Sequence, residues 1–271
     1  MINIYYCTDD KLFKQLLVSV ISLVNHTNEA LNIINLTVEV PEYNKKGKKT
    51  TEKQDLFINK ILKEKNPDSK FISIDVSELF RNKLLKGPNL YNKYYSYYVV
   101  VRLLAHLVNE IPDKVLYLDS DVIFNGDVKE LYNIDVKNYD LAGRIDAGRI
   151  TKYIQSGVML LNMKEIRKDG SFEKSCQLVS HHKYFCYIDM SALNSSCKKK
   201  KVISKKYNSY KYTPECIIHH VCATREGSIP FTKKWSHRIK TDEFDLMRKY
   251  EPQYNALYDE VERRLTEFEN M

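Results

Sequence analysis

The chain has 271 residues, 43% of them hydrophobic and 29% charged, and its formal net charge is +8. This length suits one large α/β domain or two small ones, and the composition excludes an intrinsically disordered chain. No apolar run reaches the roughly 18 residues of a transmembrane helix, and no nucleic-acid-binding motif occurs, so we expect neither a membrane span nor nucleic acid as a partner.

Strand and helix patterns alternate through the first 120 residues. A helical apolar spacing follows the first strand, and Thr51 with Gln54 forms a capping-box signature ahead of a second helix. Buried strands are predicted, in chain order, at INIYYC, LNIINLTVEV, KFISIDV and KVLYLD. The alternation predicts right-handed βαβ units and a mainly parallel α/β sheet with helices on both faces.

The rest of the chain predicts one long helix, more strands and a helical tail. The long helix covers YYSYYVVVRLLAHLVNEI and ends at Pro112, and an acidic amphipathic helix begins near Asp242. Further strands are predicted at YDLAGRID, SGVMLLNM and ECIIHHV. We therefore divide the chain into a main α/β domain, residues 1–240, and a C-terminal tail, residues 241–271.

Two carboxylates, Asp119 and Asp121, end the fourth predicted strand in the stretch VLYLDSDVIFNGDVKELY. Burying an ionised carboxylate costs several kcal/mol unless its charge is compensated. In parallel sheets the carboxyl ends of the strands form the ligand crevice, so these acids are expected to face it. Carboxylate oxygens suit Mg²⁺ or Mn²⁺, and an added imidazole favours Mn²⁺. No G-x-G-x-x-G or P-loop motif occurs, so the sequence supports neither a Rossmann dehydrogenase nor a P-loop NTPase.

Seven segments, in shared order and at similar spacing, resemble those of glycosyltransferase family 8 over about residues 1 to 235. The segment with the two aspartates resembles the D-x-D motif of that family, whose members are retaining transferases with the GT-A fold. The other six segments are INIYYCTDD, YYVVVRLLAHLVNEIPDKVLYLDSD, DLAGRIDAGRI, YIQSGVMLLNM, YIDMSALN and IIHHVCATREGSIPFTKKW. The resemblance implies an α/β GT-A (Rossmann-like) fold, with a mixed, mostly parallel sheet flanked by helices, and the transfer of a hexose from a UDP-sugar.

The resemblance also implies roles for individual residues. Asp119, Asp121 and His219 would ligate Mn²⁺, with Mg²⁺ as a second choice, and His220 is the rival of His219 because the doublet blurs the register. Neighbouring side chains of a strand face opposite sides, so only one of the two histidines can point into the crevice. The residues implied to hold the nucleotide are Cys7, Thr8, Asp9 and Ser120, together with Lys233, which would neutralise the diphosphate. The residues implied to act at the donor sugar or in catalysis are Arg102, Asp146, Gln155 and Asp189, together with Lys233.

Several positions depart from the family pattern. Gln155 stands where the family usually has Asn, and Met190 and Ser191 stand where it usually has Gln and Asp. Lys234 replaces the Pro of the K-P-W element, and Cys222 replaces a glycine. Met190 offers no polar group to a reacting sugar, so a catalytically silent nucleotide-sugar-binding protein remains an alternative. A haloacid-dehalogenase-type phosphatase is a lesser alternative, since its D-x-D opens the fold whereas about 115 residues precede it here.

The expected enzyme is a metal-dependent hexosyltransferase that uses UDP-glucose or UDP-galactose. Its acceptor is a glycan, a lipid-linked sugar or a protein, and a tyrosine in the run YNKYYSYY is a further acceptor candidate. The basic run CKKKKVISKK has two interpretations, a solvated loop or a loop at the crevice mouth that attracts an anionic acceptor. No secretory apolar region follows Met1, so we expect a cytoplasmic protein, with peripheral membrane contact and oligomeric state left open.

Overall fold

The computed structural model describes residues 1–85, 97–146, 153–181, 188–221 and 240–271. Seven strands form one mixed sheet in the order β3-β2-β1-β4-β7-β6-β8, and β5 pairs with β9 in a small second sheet. The strands are β1 Ile2–Cys7, β2 Leu31–Thr37, β3 Lys70–Asp75, β4 Lys114–Leu118, β5 Val122–Phe124, β6 Leu141–Ile145, β7 Ile154–Asn162, β8 Lys200–Val202 and β9 Ile218–His220.

The large sheet is parallel from β3 through β2 and β1 to β4. Strand β7 then runs antiparallel to both β4 and β6, and β8 runs parallel to β6. The predicted mixed, mostly parallel α/β sheet is therefore confirmed. The carboxyl ends of β1 and β4 lie at the same edge of the sheet, as neighbouring parallel strands require.

Helices cover both faces of the sheet. They are α1 Phe13–His26, α2 Glu52–Lys65, α3 Ser77–Lys83, α4 Tyr98–Val101, α5 Lys129–Asn133, α6 Met163–Asp169, α7 Ser171–His181, α8 Ile188–Ser196, α9 Phe244–Tyr250 and α10 Asn255–Glu269. An apolar core lies on each face of the sheet, and the side chains of β1 alternate between the two. Ile4 and Tyr6 pack with α1, α2 and the C-terminal helices, whereas Tyr5 and Cys7 pack with α3, α4, α7 and α8. The capping box of Thr51 and Gln54 is present at the start of α2.

The predicted long helix before β4 is wrong over its described part. Helix α4 ends at Val101, and a 3-10 segment continues from Arg102 to Leu107. The Arg102 side chain is buried, and its Nε donates to the Val99 carbonyl at 2.9 Å. This side-chain bond uses a carbonyl that would otherwise accept a backbone N–H of the helix. The tighter 3-10 turn places the guanidinium beneath the carboxyl edge of the sheet.

The C-terminal tail contains two helices instead of the single predicted one. Pro252 begins a 3-10 turn between α9 and α10, consistent with its missing N–H and fixed φ. Met247, Tyr258 and Val261 are buried in the core that α1 and α2 share with the sheet. Among the residues that the structure describes, no helix has both the length and the apolar character needed to cross a membrane.

Candidate metal centre

Three candidate ligands meet beyond the carboxyl end of β4. Asp119 follows Leu118, the last residue of that strand, and its N–H donates to the Gly157 carbonyl of β7 at 2.8 Å. The chain then turns into β5, which pairs antiparallel with β9 so that Val122 lies opposite His220. This small two-stranded sheet therefore brings a histidine from nearly 100 residues downstream to the two aspartates.

The three side chains are close enough to share one cation. His220 Nε2 lies 3.2 Å from Asp121 Oδ1 and 3.7 Å from Asp119 Oδ2. One ligand atom from each of the three residues lies within 4.8 Å of the other two. His220 is buried and the acids are partly exposed, so the acids border solvent while the imidazole lies behind them. One imidazole and two carboxylates suit a divalent ion such as Mn²⁺, so the donor set fits the implied metal.

The structure contradicts the choice of His219 as the third ligand and places His220 with the acids. His219 points to the other side of β9, where its Nδ1 lies 2.9 Å from the Tyr254 hydroxyl. Burial there lowers the pKa of His219 to about 4. The expected alternation of the doublet is observed, but the order of the two residues was misjudged from the family register.

Arg102 connects the candidate metal centre to Asp189. Its Nη2 lies 2.9 Å from Asp119 Oδ1, and its Nη1 lies 3.5 Å from Asp189 Oδ2. Nη1 also donates to the Ser156 carbonyl at 2.8 Å, and the guanidinium lies 4.4 Å from the centre of the Tyr117 ring. Burial raises the pKa of Asp119, although the neighbouring Arg102 opposes that change. The arginine thus supplies a buried positive charge between two acids and holds both in place.

Asp189 lies in the first turn of α8 and is buried. The Ser156 hydroxyl donates to its Oδ2 at 2.8 Å. Next to it, Met190 is buried as well, and the Ser191 hydroxyl lies 2.9 Å from the Tyr153 hydroxyl. The neighbourhood of Asp189 is therefore polar on the side of β7, where Ser156 is found.

The residues expected to hold the nucleotide surround the end of β1. Thr8 donates through both N and Oγ1 to Asn35 Oδ1, at 3.0 and 2.9 Å. Asp9 Oδ1 accepts from Leu12 N at 3.0 Å, and burial raises the pKa of both Asp9 and Cys7. These bonds fix the backbone at the sheet edge that also carries Asp119. Binding of a nucleotide at that edge stays a prediction.

The remaining predicted residues have separate surroundings. Ser120 Oγ donates to Gln15 Oε1 at 3.4 Å, and Gln15 in turn donates to Asp242 at the start of the tail. Asp146 Oδ1 accepts from the Tyr210 hydroxyl at 3.1 Å. Lys233 and most of the tyrosine run, residues 91–96, lie outside the described residues, as do Lys234 and Cys222.

The structure places the first lysines of the basic run away from the candidate metal centre. Lys200 pairs with Leu141 at the amino end of β6, and Leu141 pairs with Leu161, which also pairs with Val115 at the start of β4. Lys200 therefore lies level with Val115, four residues or about 13 Å along the strand from Asp119, and β8 leads from there toward the carboxyl edge of the sheet. Lys199 is paired there with Glu165 and Asp169. The family pattern indicated neither β8 nor its direction.

Three site residues were not predicted to act in the site. Asn208 is completely buried and contacts His220, yet it lies in a stretch without a motif. Ser156 and Gly157 lie inside the segment YIQSGVMLLNM, where only Gln155 was singled out. A Cβ added to Gly157 would lie 2.2 Å from His220 Cε1 and 2.8 Å from Asp119 Oδ2, so only glycine lets β7 approach the two ligands this closely.

Comparison with known sequences gives the family. The model of glycosyl transferase family 8 matches residues 3–221. A Haemophilus influenzae protein is 26% identical over 229 residues, covering 78% of this chain and 63% of that protein. It is named as a glycosyltransferase, and the name specifies no sugar. GlyF, a Streptococcus pneumoniae glycosyltransferase, is 28% identical over 132 residues, covering 47% of this chain and 31% of GlyF. The chain thus spans less than two thirds of the length of these relatives.

Comparison with solved structures gives the fold. The galactosyltransferase LgtC, solved with donor and acceptor sugar analogues, has a TM-score of 0.63 at 20% identity, covering 83% of this chain and 88% of LgtC. The apo form of Streptococcus pneumoniae GlyE has a TM-score of 0.61 at 19% identity, covering 92% of this chain and 59% of GlyE. These similarities establish the GT-A fold. Since the family model also covers most of the sequence, the chain belongs to glycosyl transferase family 8.

Proposed function

We propose that this protein is a retaining glycosyltransferase that moves a hexose from a UDP-sugar to a hydroxyl group of a glycan, lipid-linked or protein acceptor. The single observation that carries the proposal is the cluster of Asp119, Asp121 and His220 at the carboxyl edge of the sheet in a family 8 chain. That edge is where open α/β sheets bind their ligands. UDP-glucose and UDP-galactose are the donors we favour, and Mn²⁺ is the favoured metal, with Mg²⁺ second.

Asp119, Asp121 and His220 would hold the metal ion. When bound, a divalent ion supplies Lewis-acid stabilisation of the negative charge on a departing diphosphate. Arg102 keeps Asp119 in position through its 2.9 Å contact and keeps the carboxylates from repelling one another. Cys7, Thr8 and Asp9, at the end of β1, are proposed to contact the uridine, and Lys233 the diphosphate.

Asp146 and Gln155 are proposed to contact the donor sugar, and Asp189 is the proposed catalytic carboxylate beside it. Its carboxylate is buried and held by Ser156 and Arg102, so its negative charge is positioned before a substrate arrives. A preorganised negative charge stabilises the positive charge that develops on a sugar ring during transfer. Retention follows if the acceptor hydroxyl attacks from the face that the diphosphate leaves.

Met190 supports a second candidate, a protein that binds nucleotide sugars without turning them over. Its side chain is buried next to Asp189 and offers a sugar only a thioether sulfur, which is a weak acceptor and no donor. The fold and the family argue against the phosphatase alternative. Its D-x-D opens the fold, whereas three parallel strands precede β4 and the two aspartates here, and the chain belongs to family 8.

A panel of UDP-sugars assayed for Mn²⁺-dependent UDP release tests the proposal. We expect release with a hexose donor, loss of release with a chelator, and loss in the Asp121→Asn variant. UDP-sugar binding without release by the wild type would favour the binding-only candidate. UDP release that neither the chelator nor Asp121→Asn reduces would overturn the role of the candidate metal centre.

A further inference from the structure

Behind the candidate metal centre, two buried amide side chains connect the backbone of β7 to His220. The Gly157 N–H donates to Gln155 Oε1 at 2.8 Å, and Asn208 Nδ2 donates to the same oxygen. Two amide atoms face His220 Nδ1: Asn208 Oδ1 at 3.0 Å, and Gln155 Nε2 at 3.5 Å, the outer limit of hydrogen-bonding distance. The contact with Asn208 Oδ1 is the shorter and therefore the stronger one. The four residues form one continuous hydrogen-bonded chain inside the protein.

The direction of every bond in this chain follows from its first member. A backbone N–H can only donate, so the Gln155 atom that faces it must be the amide oxygen. The Asn208 atom that faces this oxygen must then be the NH₂ group, which leaves the Asn208 oxygen toward His220. An oxygen in that position accepts, so His220 carries a proton on Nδ1.

A proton on Nδ1 leaves the Nε2 lone pair of a neutral imidazole directed toward Asp119 and Asp121. This is the tautomer that a histidine needs in order to bind a metal ion through Nε2. The opposite orientation of either amide would favour the proton on Nε2, next to the carboxylates, and would oppose metal binding.

Asn208 is well fixed for this task. Its side chain is fully buried. The backbone N–H of Asn208 donates to the Lys205 carbonyl at 3.2 Å, and the backbone carbonyl of Asn208 accepts from Arg144 Nη1. The Arg144 guanidinium in turn lies 4.2 Å from the centre of the Tyr210 ring, which itself packs edge-on against His220.

We propose that Asn208 is a positioning residue that, oriented by Gln155 and the Gly157 backbone, fixes the tautomer of His220 for metal binding. The proposal rests on the proposed function only in that a divalent ion is bound by His220 and the two acids. It adds a residue outside the family segments and gives Gln155 a role toward the metal ligand.

Binding of Mn²⁺ alone, measured from the paramagnetic resonance signal of the free ion, tests the proposal without any assay of transfer. Loss of an outer hydrogen-bond partner of a metal-bound histidine typically weakens metal affinity about 10–100-fold. We expect that loss in Asn208→Leu, which has nearly the same size but no acceptor.

A second readout follows the proton itself. In the Mg²⁺-loaded wild type, nitrogen-15 spectra should show a protonated Nδ1 on His220 whose proton exchanges slowly with water. In Asn208→Leu at saturating Mg²⁺ that proton should exchange rapidly. A His220 with Nδ1 unprotonated in the wild type would overturn the proposal.

The outcomes separate this proposal from the metal centre itself. Wild-type Mn²⁺ binding that is absent, or unchanged by Asp121→Asn, would overturn the metal centre. Asp121-dependent binding with equal affinity in the wild type and a folded Asn208→Leu would overturn only the role of Asn208. If Asn208→Leu does not fold, the nitrogen-15 spectrum of the Mg²⁺-loaded wild type decides alone: a protonated, slowly exchanging Nδ1 on His220 supports the role of Asn208, and an unprotonated or rapidly exchanging Nδ1 overturns it.

Discussion

Replacement of Gly157 by alanine tests the packing of β7 against the candidate metal centre. The new Cβ would lie 2.2 Å from His220 Cε1, whereas carbon atoms in contact are about 3.5 Å apart, so the ring or the strand must move by about 1.3 Å. Strand β7 is hydrogen-bonded on both sides, to β4 and to β6, so the imidazole is the group that yields. The new Cβ would also lie 2.8 Å from Asp119 Oδ2, so the substitution changes the positions of two candidate ligands relative to each other.

We expect Gly157→Ala to weaken Mn²⁺ binding about 10–100-fold, or about 1.4–2.7 kcal/mol, and to lower the free energy of unfolding by about 1–3 kcal/mol. Gly143→Ala is the matched control, because its Cβ would lie 2.3 Å from Ile154 Cγ2 in the same sheet but touches no candidate ligand. It should lose similar stability in urea unfolding and keep its Mn²⁺ affinity. A folded Gly157→Ala that binds Mn²⁺ as tightly as the wild type would refute the reasoning.

Three further predictions concern the charges, the helix start and the metal. Arg102→Met should lower the free energy of unfolding by about 3–5 kcal/mol in urea titrations, because two acids lose their buried partner. Arg81→Met, which removes an exposed ion pair with Glu42, should cost less than about 1 kcal/mol, and equal losses would argue against the buried bridge. Thr51→Ala should cost about 1 kcal/mol in the same titrations through loss of the capping box, and no measurable loss would show that the cap is unimportant. Mn²⁺ at about 100 times its dissociation constant should raise the unfolding free energy by about 2.7 kcal/mol in the wild type and raise it far less in Asp121→Asn, and an equal rise in both would place the ion elsewhere.

Much of the architecture could be predicted because local patterns and the global fold agree. The first four strands and helices α1 and α2 follow from apolar periodicity and a capping signature, and their alternation predicts the parallel part of the sheet. The same argument places Asp119 and Asp121 at the ligand edge, since the end of a central strand can be read from the sequence.

The failures come from tertiary contacts that no local pattern carries. The long helix was expected from propensity alone, but the buried Arg102 side chain takes a helix carbonyl and the chain tightens into a 3-10 turn. The histidine doublet predicts that one ring faces the acids, yet which one depends on the pairing of β9 with β5. Asn208 is recognisable only once the fold brings it to His220, about a dozen residues along the chain and across a turn.

Calorimetric titration of UDP with and without Mn²⁺, on the wild type and on the His220→Ala and His219→Ala variants, tests the central claim most directly. We predict Mn²⁺-dependent UDP binding in the wild type and in a folded His219→Ala. In His220→Ala that binding should be at least about tenfold weaker, as expected for loss of a metal ligand. Equal UDP affinity with Mn²⁺ and with a chelator, or loss in His219→Ala with retention in His220→Ala, would contradict it.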